Sequence, residues 1–404
     1  MKNFLKKVLL VNICALSAFT VAAQDDINPI LTAVPSLSIA PDARGGGMGD
    51  AGVATAPDVY SQHWNPAKYA FSPSKAGFAL SYTPWLRKIV NDVALAYGVG
   101  YYKLGNENNQ ALSASIRYFS VGDVKMMDVM GEDMHFTVAP YEMAFDLGYS
   151  RKLTETFSGA ITVRYIRTDY SGADDEVSPG NAWAADIAGY NESYVNIGQS
   201  ESLLSFGFNI SNIGTKISTD GGSRNDYIPT NLRLGASIMY PLNEVSTLSL
   251  SADINKLLVP TPPMKKAIIK QDGESEADYQ DRLDQEDTRY ANKLKDYRDG
   301  SSISGIFKSF GDAPGGFSEE LKEIMWSIGA EYDYDNKFRL RSGYFHENKM
   351  KGNRQYFSFG AGFKLSAFQL DVAYMLATAQ QNPLDQTLRF SLAFDIDGMK
   401  NLFR

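Results

Sequence analysis

Gly47-Met48-Gly49-Asp50-Ala51-Gly52 has the spacing of a phosphate-cradling turn, in which glycines let the backbone approach a pyrophosphate at a helix N-terminus. That chemistry needs a strand before the turn and a βαβ unit around it, and the residues ahead of Gly47 carry no strand pattern. Ser72-Pro73-Ser74-Lys75 has the Ser-x-x-Lys spacing of an acylated serine with its lysine, yet no Lys-Thr-Gly partner occurs in the chain. The histidines, His63, His135 and His346, lie far apart, and none stands in a zinc spacing such as His-Glu-x-x-His. A lipid-modifying hydrolase built on His346 would still need a nucleophile, and nothing singles one out. The expectation is a chain with no catalytic residue, no metal site and no cofactor.

The other chemistry-bearing residues are charges on strand-like segments. Arg117, Arg164, Arg233, Arg339, Arg341 and Arg389 alternate with apolar residues, as do Glu142, Asp146, Asp253, Glu331, Asp371 and Asp395. Buried charges need partners. If these residues share an enclosed interior, an ion-pair network follows, and such pairs close a lumen as readily as they line a path.

The elements that hold them read as β-strands with one apolar and one small or polar face. Leu388, Phe390, Leu392 and Phe394 alternate with Arg389, Ser391, Ala393 and Asp395. Tyr141, Met143, Phe145, Leu147 and Tyr149 alternate with Glu142, Ala144, Asp146, Gly148 and Ser150. The pattern predicts about fourteen strands, near 77–86, 92–104, 110–122, 140–153, 157–171, 181–191, 202–213, 230–241, 245–258, 324–334, 337–347, 354–365, 367–378 and 386–396.

Composition and targeting say what faces the apolar side. The chain has 404 residues, 44% hydrophobic, with 23 Tyr and 22 Phe, and its mean hydropathy is −0.26. That is too polar for a bundle of membrane helices, whereas a transmembrane barrel needs only half of each strand to be apolar. Residues 1–23 read as a signal peptide: Lys2, Lys6 and Lys7, an apolar run from Val8 to Val21, and a cleavage site between Ala23 and Gln24. Cleavage removes three lysines and no acid, leaving 36 basic against 47 acidic groups, a net charge of −11. Nucleic acid is therefore not an expected partner. The single cysteine, Cys14, departs with the signal, so no disulfide is expected. An exported chain of amphipathic strands has lipid as the solvent for its apolar face: an all-β, transmembrane antiparallel barrel of about fourteen strands over 77–404, in the outer membrane.

Loop lengths provide an independent test. With the first strand entered from the periplasm, the connections 123–139, 172–180, 214–229, 259–323, 348–353 and 379–385 all face outward, together with the short 87–91. The opposite side receives short turns such as Thr154-Glu155-Thr156 and Asp335-Asn336, with 192–201 as the exception. Long loops on one side are the habit of bacterial barrels.

Two segments exceed a plain barrel. Residues 24–76 precede the first strand and carry Arg44, Gly45, Gly46, Gly47 and Gly49, then Trp64-Asn65-Pro66-Ala67, where Asn65 suits a helix cap and Pro66 the first helical position. Small residues there suit a plug packed inside a lumen. Residues 259–323 form a loop too long to be structureless, with a charged, helix-prone stretch at 274–299 and a closing run from Ile306 to Glu320. Phe307, Phe310 and Phe317 in that run either tuck into the lumen or offer a partner apolar anchors.

The run Ala43-Arg44-Gly45-Gly46-Gly47-Met48-Gly49-Asp50-Ala51-Gly52 through Trp64-Asn65-Pro66-Ala67 resembles the N-terminal plug of FadL-like outer-membrane proteins. Four further blocks narrow the resemblance to the PorV family of type IX secretion barrels. They are Ser205–Ile217, Ser309–Glu320 with its Asp312-Ala313-Pro314-Gly315-Gly316-Phe317, Arg341–Asn348 with Lys351–Arg354, and Gln381–Leu384 with Thr387–Leu392. The resemblance implies a fourteen-strand FadL-like barrel with a luminal plug, and a non-enzymatic role. Proteins of this kind bind the C-terminal signal domains of secreted cargo at the type IX translocon barrel. They then shuttle that cargo to a surface attachment complex containing a sortase-like peptidase. The expected partner-binding residues are Phe307, Phe310, Asp312, Pro314, Gly315, Gly316 and Phe317. The charged stretch 274–299 looks longer than that family would have. The competing expectation is a FadL-like transporter of small hydrophobic compounds, which shares plug and barrel and would need a continuous apolar pocket.

Overall fold

Among the described residues of a computed structural model of the chain, sixteen strands follow the segment before Ala76, and fourteen of them close into one antiparallel barrel. The structure describes residues 27–85, 90, 92–105, 107–127, 133–171, 177–222, 225–378 and 385–398. The proposed cleavage site at Ala23 and Gln24 and the block Gln381–Leu384 lie outside these.

The strands are β1 (Ala76–Pro84), β2 (Ala94–Leu104), β3 (Gln110–Ser120), β4 (Val124–Met127), β5 (Asp133–Val138), β6 (Tyr141–Lys152), β7 (Phe157–Asp169) and β8 (Gly180–Ile197). They continue as β9 (Ser200–Gly214), β10 (Asn231–Asn243), β11 (Ser246–Leu257), β12 (Met325–Tyr334), β13 (Phe338–His346), β14 (Gln355–Leu365), β15 (Phe368–Ala377) and β16 (Leu388–Asp395). β1 pairs with both β2 and β16, which seals the ring. β4 and β5 pair only with each other and stand as a hairpin in the connection between β3 and β6. Each of the fourteen expected strands has a counterpart in the ring.

Two loops differ from expectation: 123–139 contains the β4–β5 hairpin, and 192–201 is strand. The stretch 192–201 is a continuation of β8 and β9, paired from Glu192↔Ser205 to Ile197↔Ser200. Only Gly198 and Gln199 remain to turn the chain, so the loop-length rule holds there as well. At the β12–β13 turn, Asp335 and Asn336 both have positive φ (55° and 52°), and Lys337 N–H donates to the Tyr334 carbonyl at 3.0 Å. That geometry is the hairpin turn whose twist matches the flanking strands.

The outward faces carry large apolar side chains in alternation, among them Phe78, Leu80 and Tyr82 on β1 and Phe145, Leu147 and Tyr149 on β6, all exposed. Exposure on that scale suits hydrocarbon rather than water. The inward faces are polar, as with Ser115 and Arg117 on β3, Asp146 on β6 and Arg164 on β7, and they are buried.

The chain ahead of β1 packs against the inward side chains of the ring. Asn28 N–H donates to the Met350 carbonyl at 2.9 Å, so this segment starts beside the β13–β14 connection on the long-loop side. It then winds through a 3₁₀ turn at Pro35–Ser38, helix α1 (Ala43–Gly47), helix α2 (Ser61–Trp64) and a second 3₁₀ turn at Pro66–Phe71. Asn65 accepts from Ala67 N–H at 3.1 Å, the cap expected of it, and donates to the Gly189 carbonyl at 2.9 Å on β8. Asp42 caps α1 through Gly45 N–H (2.8 Å) and holds the Trp64 indole N–H at 2.7 Å. Two of the glycines are explained by that indole: a Cβ on Gly45 or Gly52 would lie 2.4 or 2.3 Å from its ring atoms.

Ion pairs and backbone bonds tie this segment to the wall on many sides. Arg44 spans Asp58 (2.7 Å) and Glu331 (3.0 Å), and Arg341 holds Glu331 (2.6 Å) and Asp371 (2.7 Å). Arg389 reaches Asp50 at 3.1 Å. The Asp253 carboxylate accepts the Gly52 and Val53 N–H groups at 2.7 and 2.9 Å. Arg117 donates to the Ser36 and Ile39 carbonyls and meets His63 Nδ1 at 2.9 Å. Within the wall, Arg164 pairs with Asp146 and Asp186.

Candidate functional site

Residues 259–323 rise from the end of β11 and return at β12. Helix α3 (Glu276–Asp299) is capped by Ser275, whose hydroxyl accepts from Asp278 N–H at 3.1 Å. One face of the helix, carrying Tyr279, Leu283, Tyr290, Leu294 and Tyr297, is half-buried, the rest is polar and mostly exposed, and Glu286 is its one buried residue among those described. Helix α4 (Ser302–Lys308) is capped by Ser301, and its Gly305 sits against Tyr227 and Pro260, where a Cβ would come within 2.9 and 3.0 Å. Helix α5 (Phe317–Lys322) starts after Gly316, whose φ of 70° and ψ of −155° suit glycine alone.

Charge holds this run down from beneath. Lys256, near the end of β11, reaches Glu320 (3.1 Å) and Glu323 (2.6 Å). Lys351, from the β13–β14 connection, reaches Glu319 (2.5 Å) and Glu323 (3.0 Å). The Thr261 hydroxyl donates to Glu323 at 2.6 Å, Ala313 N–H donates to Glu320 at 2.9 Å, and Thr261 N–H donates to Asp312 at 3.1 Å. Two lysines therefore pair with Glu319, Glu320 and Glu323, as buried charges require, while Asp312 receives only a backbone donor.

The outer side is apolar. Phe307 and Phe317 are 75% and 77% exposed, and Phe310 is 55% exposed. Ile303 and Leu321 are exposed beside them. Of the two placements open to the phenylalanines, the structure has the one outside the lumen. Pro314, Gly315 and Gly316 are exposed at the crest. Asp312 differs from the rest of the expected set, because its carboxylate turns inward to Thr261 and serves to position the run. Glu320, Glu323, Lys256 and Lys351 are the residues that sequence reasoning missed. Glu320 and Lys351 stood inside motif blocks, with nothing to show that they meet.

Burial, with Glu320 and Glu323 nearby, pushes the Asp312 carboxyl up to about 6. The usual carboxyl value is 3.8, so ionisation opposes the docked run at neutral pH. As pH falls from about 6 towards 4, docked Asp312 takes up a proton that the released form does not. The run is then held more tightly, provided the carboxylates on Lys256 and Lys351 remain charged. Amide hydrogen exchange over 309–323 should therefore be slower at pH 5.5 than at pH 7.5 after correction for intrinsic rates. Asp312→Asn should remove the difference.

Among the described residues no group of three or more His, Cys, Asp or Glu side chains is placed to hold a metal ion. His63 is buried in the luminal segment and His346 ends β13, stacked on Trp326 at 5.1 Å. The side chain of His135 lies outside the described residues.

A closed fourteen-stranded ring with a lipid-type outer face, a polar inner face and long loops on one side defines an outer-membrane β-barrel. Residues 22–264 match the family model described as Type IX secretion system protein PorV, and the chain belongs to that family. It is accordingly an outer-membrane component of type IX secretion. The match ends before α3, so the helices of the long loop lie beyond it. No curated protein sequence matches the chain. Among solved structures it is similar to the Pseudomonas putida toluene transporter TodX, at 11% identity and TM-score 0.49, covering 91% of this chain and 99% of that one. The Ralstonia pickettii toluene transporter TbuX matches at 12% identity and TM-score 0.43, covering 88% and 96%. A Pseudomonas aeruginosa FadL homologue matches at 11% and 0.43, covering 91% and 99%.

Proposed function

We propose that this chain is a non-enzymatic docking subunit. It binds the C-terminal signal domains of secreted cargo beside the translocon barrel and delivers them to the surface attachment complex, where a partner's sortase-like peptidase acts. The luminal segment 27–75 serves as a plug, and the outer face of 303–321 is the docking surface. The observation that carries this reading is the two-sided run. Its carboxylates are clamped from below by Lys256 and Lys351, while Phe307, Phe310 and Phe317 stay exposed above. A monomer has little reason to hold aromatic side chains rigidly in water, and a partner gives one.

The small-hydrophobic-transporter reading has less support. The cavity of about 300 Å³ at the periplasmic end mixes charged residues such as Arg44, Asp58, Glu331 and Arg339 with apolar ones such as Val59, Met239, Phe368 and Phe394, so it is not the continuous apolar pocket that reading needs. The test is an affinity pull-down of the tagged chain from gently solubilised outer membranes. Recovery of a very large translocon barrel, secreted cargo or a sortase-like peptidase is the expected result. A lone barrel, under conditions that preserve a known membrane complex, would turn the reading to small-molecule transport.

A further inference from the structure

A cavity of about 680 Å³ opens between the long-loop helices and the arm that leads into them. Lys265, Lys266, Arg289, Lys293, Lys308 and Lys322 border it, against Asp296, Asp312 and Glu319. That is a cationic basin on a chain whose net charge is −8. Two of the three carboxylates face other groups: Glu319 holds Lys351 and Gly315 N–H, and Asp312 accepts from Thr261 N–H. Arg289 and Lys265 are already engaged by Glu286 and Asp287. Among the described residues, Lys293 and Lys308 border the basin without a carboxylate partner.

We infer that this basin binds an acidic polypeptide segment of the same partner that the phenylalanines hold. The inference rests on the docking reading above and specifies its chemistry. The basin and the apolar face share one stretch of backbone: Lys308 lies between Phe307 and Phe310, and Pro314 and Gly315 border the basin just before Phe317. A segment anchored on the rings presents its neighbouring residues to the ammonium groups. Tyr227, Pro260, Met264, Tyr297 and Met350 supply apolar wall between the charges, which suits carboxylates interspersed with apolar side chains. Charges at such a rim act mainly on capture rate and selectivity, and salt screens them.

The full chain in detergent is tested against two fluorescein-labelled twelve-residue peptides with identical Phe positions, one carrying Glu and the other Lys elsewhere. The Glu peptide should bind and the Lys peptide should not. Lys293→Glu/Lys308→Glu, both exposed and so harmless to folding, should weaken capture of the Glu peptide by about tenfold at low salt. The difference should shrink towards nothing at about 0.5 M salt. Equal binding of both peptides, or a double variant with native affinity and salt dependence, overturns the inference while leaving docking on the phenylalanines intact. Displacement of the Glu peptide by glucose 1-phosphate at lower concentration than by unlabelled Glu peptide also overturns it, and assigns the basin to a phosphorylated saccharide. If neither peptide binds and Phe307→Ser/Phe310→Ser/Phe317→Ser changes no partner in a membrane pull-down, the docking reading itself falls.

Discussion

Phe307→Ser/Phe310→Ser/Phe317→Ser should weaken capture of protein partners by at least about a hundredfold while the barrel assembles normally. Aromatic side chains that enter a partner's pockets commonly contribute 1–2 kcal/mol or more each, so three of them exceed the ~2.7 kcal/mol that a hundredfold loss represents. The barrel should be indifferent to the change. All three rings are exposed, and the clamp of Lys256, Lys351, Glu320 and Glu323 lies on the other side of the run. Phe317→Ser keeps Gly316 and the start of α5, so the backbone of the crest is retained. Quantitative pull-down reads the loss, cargo accumulating in the periplasm reads its consequence, and an unchanged heat-induced mobility shift of the barrel reads assembly. Normal secretion with unchanged complexes would remove this surface from the mechanism.

The strands were legible because two solvents act on alternate residues. Tyr141 to Ser150 must satisfy lipid on one face and a packed polar lumen on the other, and the sequence shows both demands. Where that double demand ends, so does the signal. Glu192 to Asn196 carries β8 beyond the apolar band, and its mixed polar residues looked like loop. The β4–β5 hairpin outside the ring is not legible, because its strands of four and six residues are too short for the alternation of Met134, Phe136 and Val138 to stand out from a loop. The luminal charges were recognised, but their partners were not. One oxygen of Asp253 accepts from the Gly52 and Val53 N–H groups, and Arg117 donates to the Ser36 and Ile39 carbonyls. Backbone groups leave no mark in a sequence. The exposed phenylalanines of 307–317 could be read, whereas the clamp beneath them could not, because a sequence does not show that charged side chains from β11, the β13–β14 connection and α5 meet.

Gly343→Val should release the luminal segment from the wall. A Cβ at Gly343 would lie 2.1 Å from the Met48 carbonyl carbon and 2.2 Å from Gly49 N, both backbone atoms that no rotamer change can move. The fit is mutual. Gly49 has φ 70°, and a Cβ there would meet the Tyr344 backbone at 2.6 Å, while one on Gly329 would meet the Met48 carbonyl oxygen at 2.5 Å. Glycines on β12, β13 and the chain after α1 thus form a notch in which backbone packs on backbone. Filling it costs about 3 kcal/mol, the upper end for overpacking. The displaced chain would also carry Arg44 away from Glu331, and Gly52 and Val53 away from Asp253, leaving that carboxylate without its donors. The ring closes through strand pairs that do not involve the segment. The expected product is therefore an assembled barrel with an unsealed lumen, showing normal strand content, open-channel steps in planar bilayers and sensitivity to large antibiotics that the native barrel excludes. Gly311→Ala, where an added Cβ meets nothing within 4 Å, should leave the bilayer silent. A Gly343→Val barrel that is equally silent, with its native thermal transition, would show that the ion pairs of Arg44 and Arg389 hold the segment without the notch.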